Sequence, residues 1–140
     1  MNADPSLRRF LLAILTVGVI GTLTELGLLE HYEEAWQLVP VTLLSLSIPV
    51  IAWCWMRPSP AALRVLQVLM TLFVVGGLIG VYQHYSGNVE FELEMYPSRA
   101  GSELFWQAIK GATPALAPAS LSWLGLLGLA FTFHHSLLRK

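Results

Sequence analysis

Four apolar segments, each about as long as a bilayer is thick, constrain this sequence more than any other feature. They cover residues 7–29, 38–56, 61–85 and 115–138. A hydrocarbon core of about 30 Å takes roughly 20 apolar residues to cross as a helix. Inside lipid every backbone N–H and C=O must find its partner within the segment, so the helix is the expected form. Four such segments use most of the 140 residues. The expected fold is an all-α membrane protein of four transmembrane helices, a single domain over residues 1–140. Composition agrees, since only 12% of residues are charged, about half the share in an ordinary soluble domain.

Short polar breaks separate the segments. Glu30-His31-Tyr32-Glu33-Glu34 follows the first. Arg57-Pro58-Ser59-Pro60 follows the second, and two closely spaced prolines cannot continue a helix. Arg8 and Arg9 ahead of an apolar run imitate a signal peptide, but the run is long and no A-x-A-like cleavage site follows. The segment is therefore expected to remain as the first span.

Charge gives an orientation. Arg8, Arg9, Arg57, Arg64, Arg139 and Lys140 fall on one side of the four spans. Glu30, Glu33, Glu34, Glu90, Glu92, Glu94 and Glu103 fall on the other, with only Arg99 and Lys110 against them. The positive-inside rule then places both termini in the cytoplasm. A bacterial inner membrane, with an acidic periplasmic face, is the expected location. Tyr32, Trp36, Trp53, Trp55, Tyr82, Tyr85 and Trp106 lie near the span ends, as an aromatic belt requires. A net charge of −1 and the lack of a basic tail give no reason to expect nucleic acid. The single cysteine, Cys54, excludes an internal disulfide and any CxxC motif.

The outer loop, 86–113, is too long for a plain connection. Val89-Glu90-Phe91-Glu92-Leu93-Glu94-Met95 alternates apolar and acidic residues, the period of a strand. Residues 102–110 carry Leu104, Phe105, Ala108 and Ile109 on one helical face and Glu103, Gln107 and Lys110 on the other. A short strand-like segment and an interfacial helix lying flat on the membrane are expected here.

The chain also repeats itself. Gly27-Leu28-Leu29-Glu30-His31-Tyr32 parallels Gly80-Val81-Tyr82-Gln83-His84-Tyr85. Leu38-Val39-Pro40-Val41-Thr42-Leu43 parallels Leu116-Ala117-Pro118-Ala119-Ser120-Leu121. Two like helical hairpins in one orientation are the expected plan. The repeat would set His31 and His84 at equivalent depths near the outer surface. With Glu30 and Glu90 they form a candidate metal site, because imidazole and carboxylate together suit a transition metal. Two facing histidines also suit haem b. Glu25, inside the first span, is the one intramembrane acid and a candidate proton or cation carrier. Cations are favoured at a helix C-terminus, so His134 and His135 are expected to be structural. Glycines in the third and fourth spans (Gly76, Gly77, Gly80, Gly125, Gly128) give close-approach faces. They suit packing within the bundle, a protein partner or a second copy.

The helix 1 glutamate is shared with small multidrug exporters, but their loops are short. Thiol enzymes of the quinone-epoxide-reductase type need cysteine pairs, which are absent here. The run Gly87-Asn88-Val89-Glu90-Phe91-Glu92-Leu93-Glu94-Met95-Tyr96-Pro97-Ser98, with Pro114-Ala115-Leu116-Ala117-Pro118, resembles small bacterial four-helix membrane proteins of unknown function. That resemblance implies the fold and no activity. No nucleophile–base pair or phosphate loop stands out, so an enzyme is left open without support from any motif. The sequence favours an accessory or assembly subunit of an inner-membrane complex. The alternatives are a metal- or haem-binding protein and a small proton- or cation-coupled transporter.

Overall fold

The computed structural model describes residues 4–138. Arg139 and Lys140, used above for orientation, lie outside the described residues. The described chain is all helical. Three helices are long and apolar enough to cross a membrane: α1 (Pro5–Leu28), α2 (Leu38–Met56) and α3 (Pro60–Met95). α4 (Gly101–Lys110) and α5 (Ala119–Thr132) follow, and a 3₁₀ turn, Ser136–Leu138, closes the described chain.

Local chemistry sets the helix starts. Asp4 caps α1, its carboxylate accepting from the Ser6 N–H at 3.0 Å. Ser59 caps α3, its hydroxyl accepting from the Ala62 N–H at 3.2 Å. Pro5 and Pro60 take the first helical turn, where a missing N–H costs nothing. In α4, Glu103 sits in the first turn and Lys110 in the last, each opposing the helix dipole.

The core lies between α1, α2, α3 and α5. Leu12, Leu15, Val19, Leu44, Leu63, Leu66, Met70 and Phe73 are closed off from the surface. α1 packs on α2 and α5, and α3 packs on α2 and α5, so the four form a ring. The α3–α5 seam is the tightest. A Cβ on Gly77 would sit 2.8 Å from the Pro118 carbonyl and 2.7 Å from the Ser122 nitrogen. One on Gly125 would sit 2.6 Å from the Met70 carbonyl. The Ser122 hydroxyl, facing Gly77, donates to the Val74 carbonyl at 2.9 Å. Of the uses the sequence left open for these glycines, packing within the bundle is the one seen at Gly77, Gly80, Gly125 and Gly128.

Arg8 joins the two ends of the chain. Its guanidinium donates to the carbonyls of Phe131, Phe133 (3.1 Å) and His134 (3.0 Å). These are the open carbonyls at the end of α5, the site where a cation is most favourable. Arg8→Ala is expected to destabilise the bundle by about 1–2 kcal/mol, read as a lower melting temperature in detergent, with α5 fraying first in hydrogen exchange.

Several expectations need correction. Residues 89–95 are helix, not strand: α3 runs on to Met95. Adding a residue to an existing helix is far easier than nucleating a new element, and Glu, Leu and Met are good helix formers. The third helix therefore does not stop at residue 85. Its 36 residues make a rod of about 54 Å at 1.5 Å per residue. The segment 115–138 holds a helix of only 14 residues, about 21 Å. Residues 115–118 form turns before it, bonded Ala117 N–H to Pro114 and Ala119 N–H to Leu116. His134 has a positive φ of 50° just after it.

The repeat does not extend to all of the packing. Aligning His31 with His84 sets buried Leu12, Leu15 and Val19 opposite exposed Val65, Val68 and Leu72. The second pair agrees better. Buried Leu44, Ser47 and Cys54 of α2 fall opposite buried Ser122, Gly125 and Thr132 of α5. α1 and α3 thus turn different faces of the aligned sequence inward.

Candidate functional site

The acidic end of the bundle is built around two histidines. α1 ends in a Schellman turn: the His31 N–H bonds the Leu26 carbonyl at 2.9 Å, and the Glu30 N–H bonds the Gly27 carbonyl at 3.3 Å. Such a turn needs a left-handed residue, usually glycine. Glu30 fills that position with φ 53°. Glu30→Gly is expected to stabilise the fold by about 1 kcal/mol, measurable as a small rise in melting temperature.

This turn delivers the His31 ring to His84 on α3. The ring centres stand 6.3 Å apart at an interplanar angle of 60°. The His84 Nδ1 lies 3.1 Å from the Pro114 carbonyl. A ring that donates from Nδ1 to a carbonyl keeps Nε2 free as an acceptor or metal ligand. Burial holds the His31 pKa below the ordinary histidine value, and the adjacent His84 lowers it further, while Glu34 pulls the other way.

A histidine depressed in the folded state takes up its proton more readily when unfolded. Its contribution to stability is complete above the unfolded value, near pH 6.5, and is lost as pH falls from there through the folded value. A loss of melting temperature between pH 7.5 and 5 is therefore expected, and His31→Gln is expected to flatten it.

The other candidate ligands do not gather here. Glu30 is exposed in its turn and Glu90 is exposed on α3. Among the described residues no group of three or more His, Cys, Asp or Glu side chains converges. Glu25 is exposed on α1. It lines neither the 120 Å³ cavity between α1 and α2, bounded by Thr16, Ile51 and Trp55, nor the groove between α2 and α3. His135 lies just past α5, at the Arg8 end of the bundle and away from His31 and His84.

The residue that organises this end went unnoticed in the sequence. Asn88 is only 2% exposed. Its amide nitrogen donates to the Ala108 carbonyl at 2.8 Å and the Thr113 carbonyl at 2.7 Å. Its oxygen accepts from the Thr113 N–H at 3.1 Å and the Thr113 hydroxyl at 2.7 Å. Two donors and two acceptors are the full capacity of an asparagine side chain. Gly111 makes room for it, since a Cβ there would come within 2.5 Å of the Asn88 Cγ.

Asn88 thus fastens α4 and the chain beyond it to the end of α3. Tyr85 adds a ring contact to Phe105 at 5.9 Å. Arg99 binds both Glu92 and Glu103 and covers the Tyr96 ring at 4.1 Å. Tyr85, Asn88 and Glu92 share one helical face of α3, so α4 is docked on that face and is not held by lipid alone. The exposed surface of this hairpin mixes apolar and charged groups: Phe91 is 50% exposed, Met95 58% and Trp106 57%, and Glu90, Glu94 and Lys110 are exposed with them. Compared with known proteins, the chain matches no family model, no curated protein and no solved structure.

Proposed function

We propose that this chain is a small accessory or assembly subunit of a membrane complex, and that the α3–α4 hairpin is the part it offers its partner. One observation carries the reading. α3 has 36 residues, about 54 Å of helix, against a hydrocarbon core of about 30 Å. With Pro60 at one surface, residues beyond about 80 stand outside the core. Phe91 and Met95 are exposed there, beyond the reach of acyl chains, and Trp106, beside Phe105 at the level of Tyr85, is exposed at the edge of the core. Exposed apolar clusters of this kind mark interaction surfaces. A hairpin held by a saturated asparagine latch is a rigid one to present.

In this proposal the segment 115–138 completes a fourth crossing. Pro114 meets His84 at one end of the bundle, and Phe131 and Phe133 meet Arg8 at the other. The location is a bacterial inner membrane, with the Arg-rich end and both termini cytoplasmic and the hairpin periplasmic. Purification from native membranes in mild detergent tests the subunit reading. It predicts one co-purifying protein in fixed ratio; a lone monomer at full yield contradicts it.

The histidine pair favours a second reading, a bound transition metal. With metal–nitrogen bonds of about 2.0–2.1 Å, two imidazoles on one ion have ring centres roughly 5–6.5 Å apart, and His31 and His84 stand at 6.3 Å. Metal content and an absorption spectrum decide it, haem b included. The reading predicts stoichiometric metal that a His31→Ala, His84→Ala double variant loses; no metal and no Soret band would end it.

A further inference from the structure

A groove of about 530 Å³ runs between α2 and α3 near the Arg-rich end of the bundle. Leu46, Pro49 and Val50 form one wall, and Val65, Val68 and Leu69 form the other. Arg64 stands at the end nearest the α2–α3 turn and is the only polar side chain among the lining residues. The groove is more open than enclosed, which suits a chain lying against the bundle surface. Pro49, inside α2, lines this wall with its short ring.

Arg64 lies one turn inside α3 and is exposed. The ion pairs among the described residues are all at the opposite, acidic end. An arginine this close to hydrocarbon is costly unless it reaches the headgroup layer or meets an anion. A cation at headgroup level above an apolar groove complements a ligand with an anionic head and an acyl chain. A free aqueous anion would gain nothing from the six apolar side chains.

We propose that this groove binds one anionic phospholipid, its phosphate on Arg64 and an acyl chain between the α2 and α3 walls. The inference is independent of the hairpin reading above. Native mass spectrometry of the full chain tests it, with equimolar phosphatidylglycerol and phosphatidylcholine of identical chains. The wild type should retain phosphatidylglycerol at least about fivefold over phosphatidylcholine, roughly 1 kcal/mol. Arg64→Gln should equalise the two, Arg64→Lys should keep the preference, and Val68→Trp, which fills the groove, should lower retention of both. Arg57→Gln, in the adjacent turn, should change nothing. Equal retention by the wild type, a preference that survives Arg64→Gln, or one that Arg57→Gln also abolishes would overturn the proposal. Displacement of the lipid by inorganic phosphate alone would overturn it too.

Discussion

Replacing Asn88 with leucine is expected to release α4 from the end of α3 while leaving the membrane bundle folded. The substitution removes four hydrogen bonds at once. It leaves the Ala108 carbonyl and the Thr113 carbonyl, N–H and hydroxyl without the partner they share. Stranded buried groups cost about 1–3 kcal/mol each, although water will reach some of them once the hairpin opens. A net loss of about 3–5 kcal/mol for the hairpin follows. Hydrogen exchange should show residues 101–113 losing protection and residues 60–80 keeping it. Gly111→Ala should reproduce the effect more weakly, because its Cβ would press on the same amide. Equal protection of residues 101–113 in wild type and Asn88→Leu would remove the latch from this account.

The second large effect is expected in the bundle itself. Gly125→Leu places a branched side chain where even a Cβ would stand 2.6 Å from the Met70 carbonyl and 2.9 Å from the Val74 nitrogen. Those are backbone atoms, so no rotamer change relieves the contact, and α3 and α5 must move apart. Overpacking of this kind costs about 1–3 kcal/mol for a modest insertion, and leucine adds more than that. Loss of the monodisperse folded protein is the expected outcome, with Gly125→Ala intermediate. Gly21→Leu is the control: nothing lies within 4 Å of a Cβ there, so it should be tolerated. A Gly125→Leu variant that melts like wild type would mean the seam is looser than drawn.

The elements differ in how legible they were in the sequence, and the reasons are physical. α2 has the bounds read from sequence, 38–56, because apolar content ends sharply and Pro58 and Pro60 close it. α4 was read to within a residue because its two faces differ clearly in polarity. α3 was cut short because the alternation in 89–95 has the period of a strand. The deciding signal was the spacing of Tyr85, Asn88 and Glu92, which is helical and points one face at α4. The last apolar segment was read as too long a helix, since hydropathy sees neither the turns between Pro114 and Pro118 nor the Arg8 clamp on the carbonyls of Phe131 and Phe133. Charge had marked Arg8 only as a sign of orientation.

At the acidic end the sequence placed His31 and His84 at like depth, and their rings stand 6.3 Å apart. It also grouped Glu30 and Glu90 with them by proximity along the chain. A left-handed turn exposes the first, and helical phase turns the second to the surface. The buried asparagine gave no composition signal at all.

The central claim is that the α3–α4 hairpin meets a protein partner beyond the bilayer. The most direct measurement is photo-crosslinking in intact membranes, with a benzoylphenylalanine at 91, 95 or 106 and, for comparison, at lipid-facing Val17. The account predicts one and the same protein adduct from all three hairpin positions, absent from position 17 and lost when Asn88→Leu is added. Adducts to lipid alone, or protein adducts indifferent to Asn88→Leu, would contradict it.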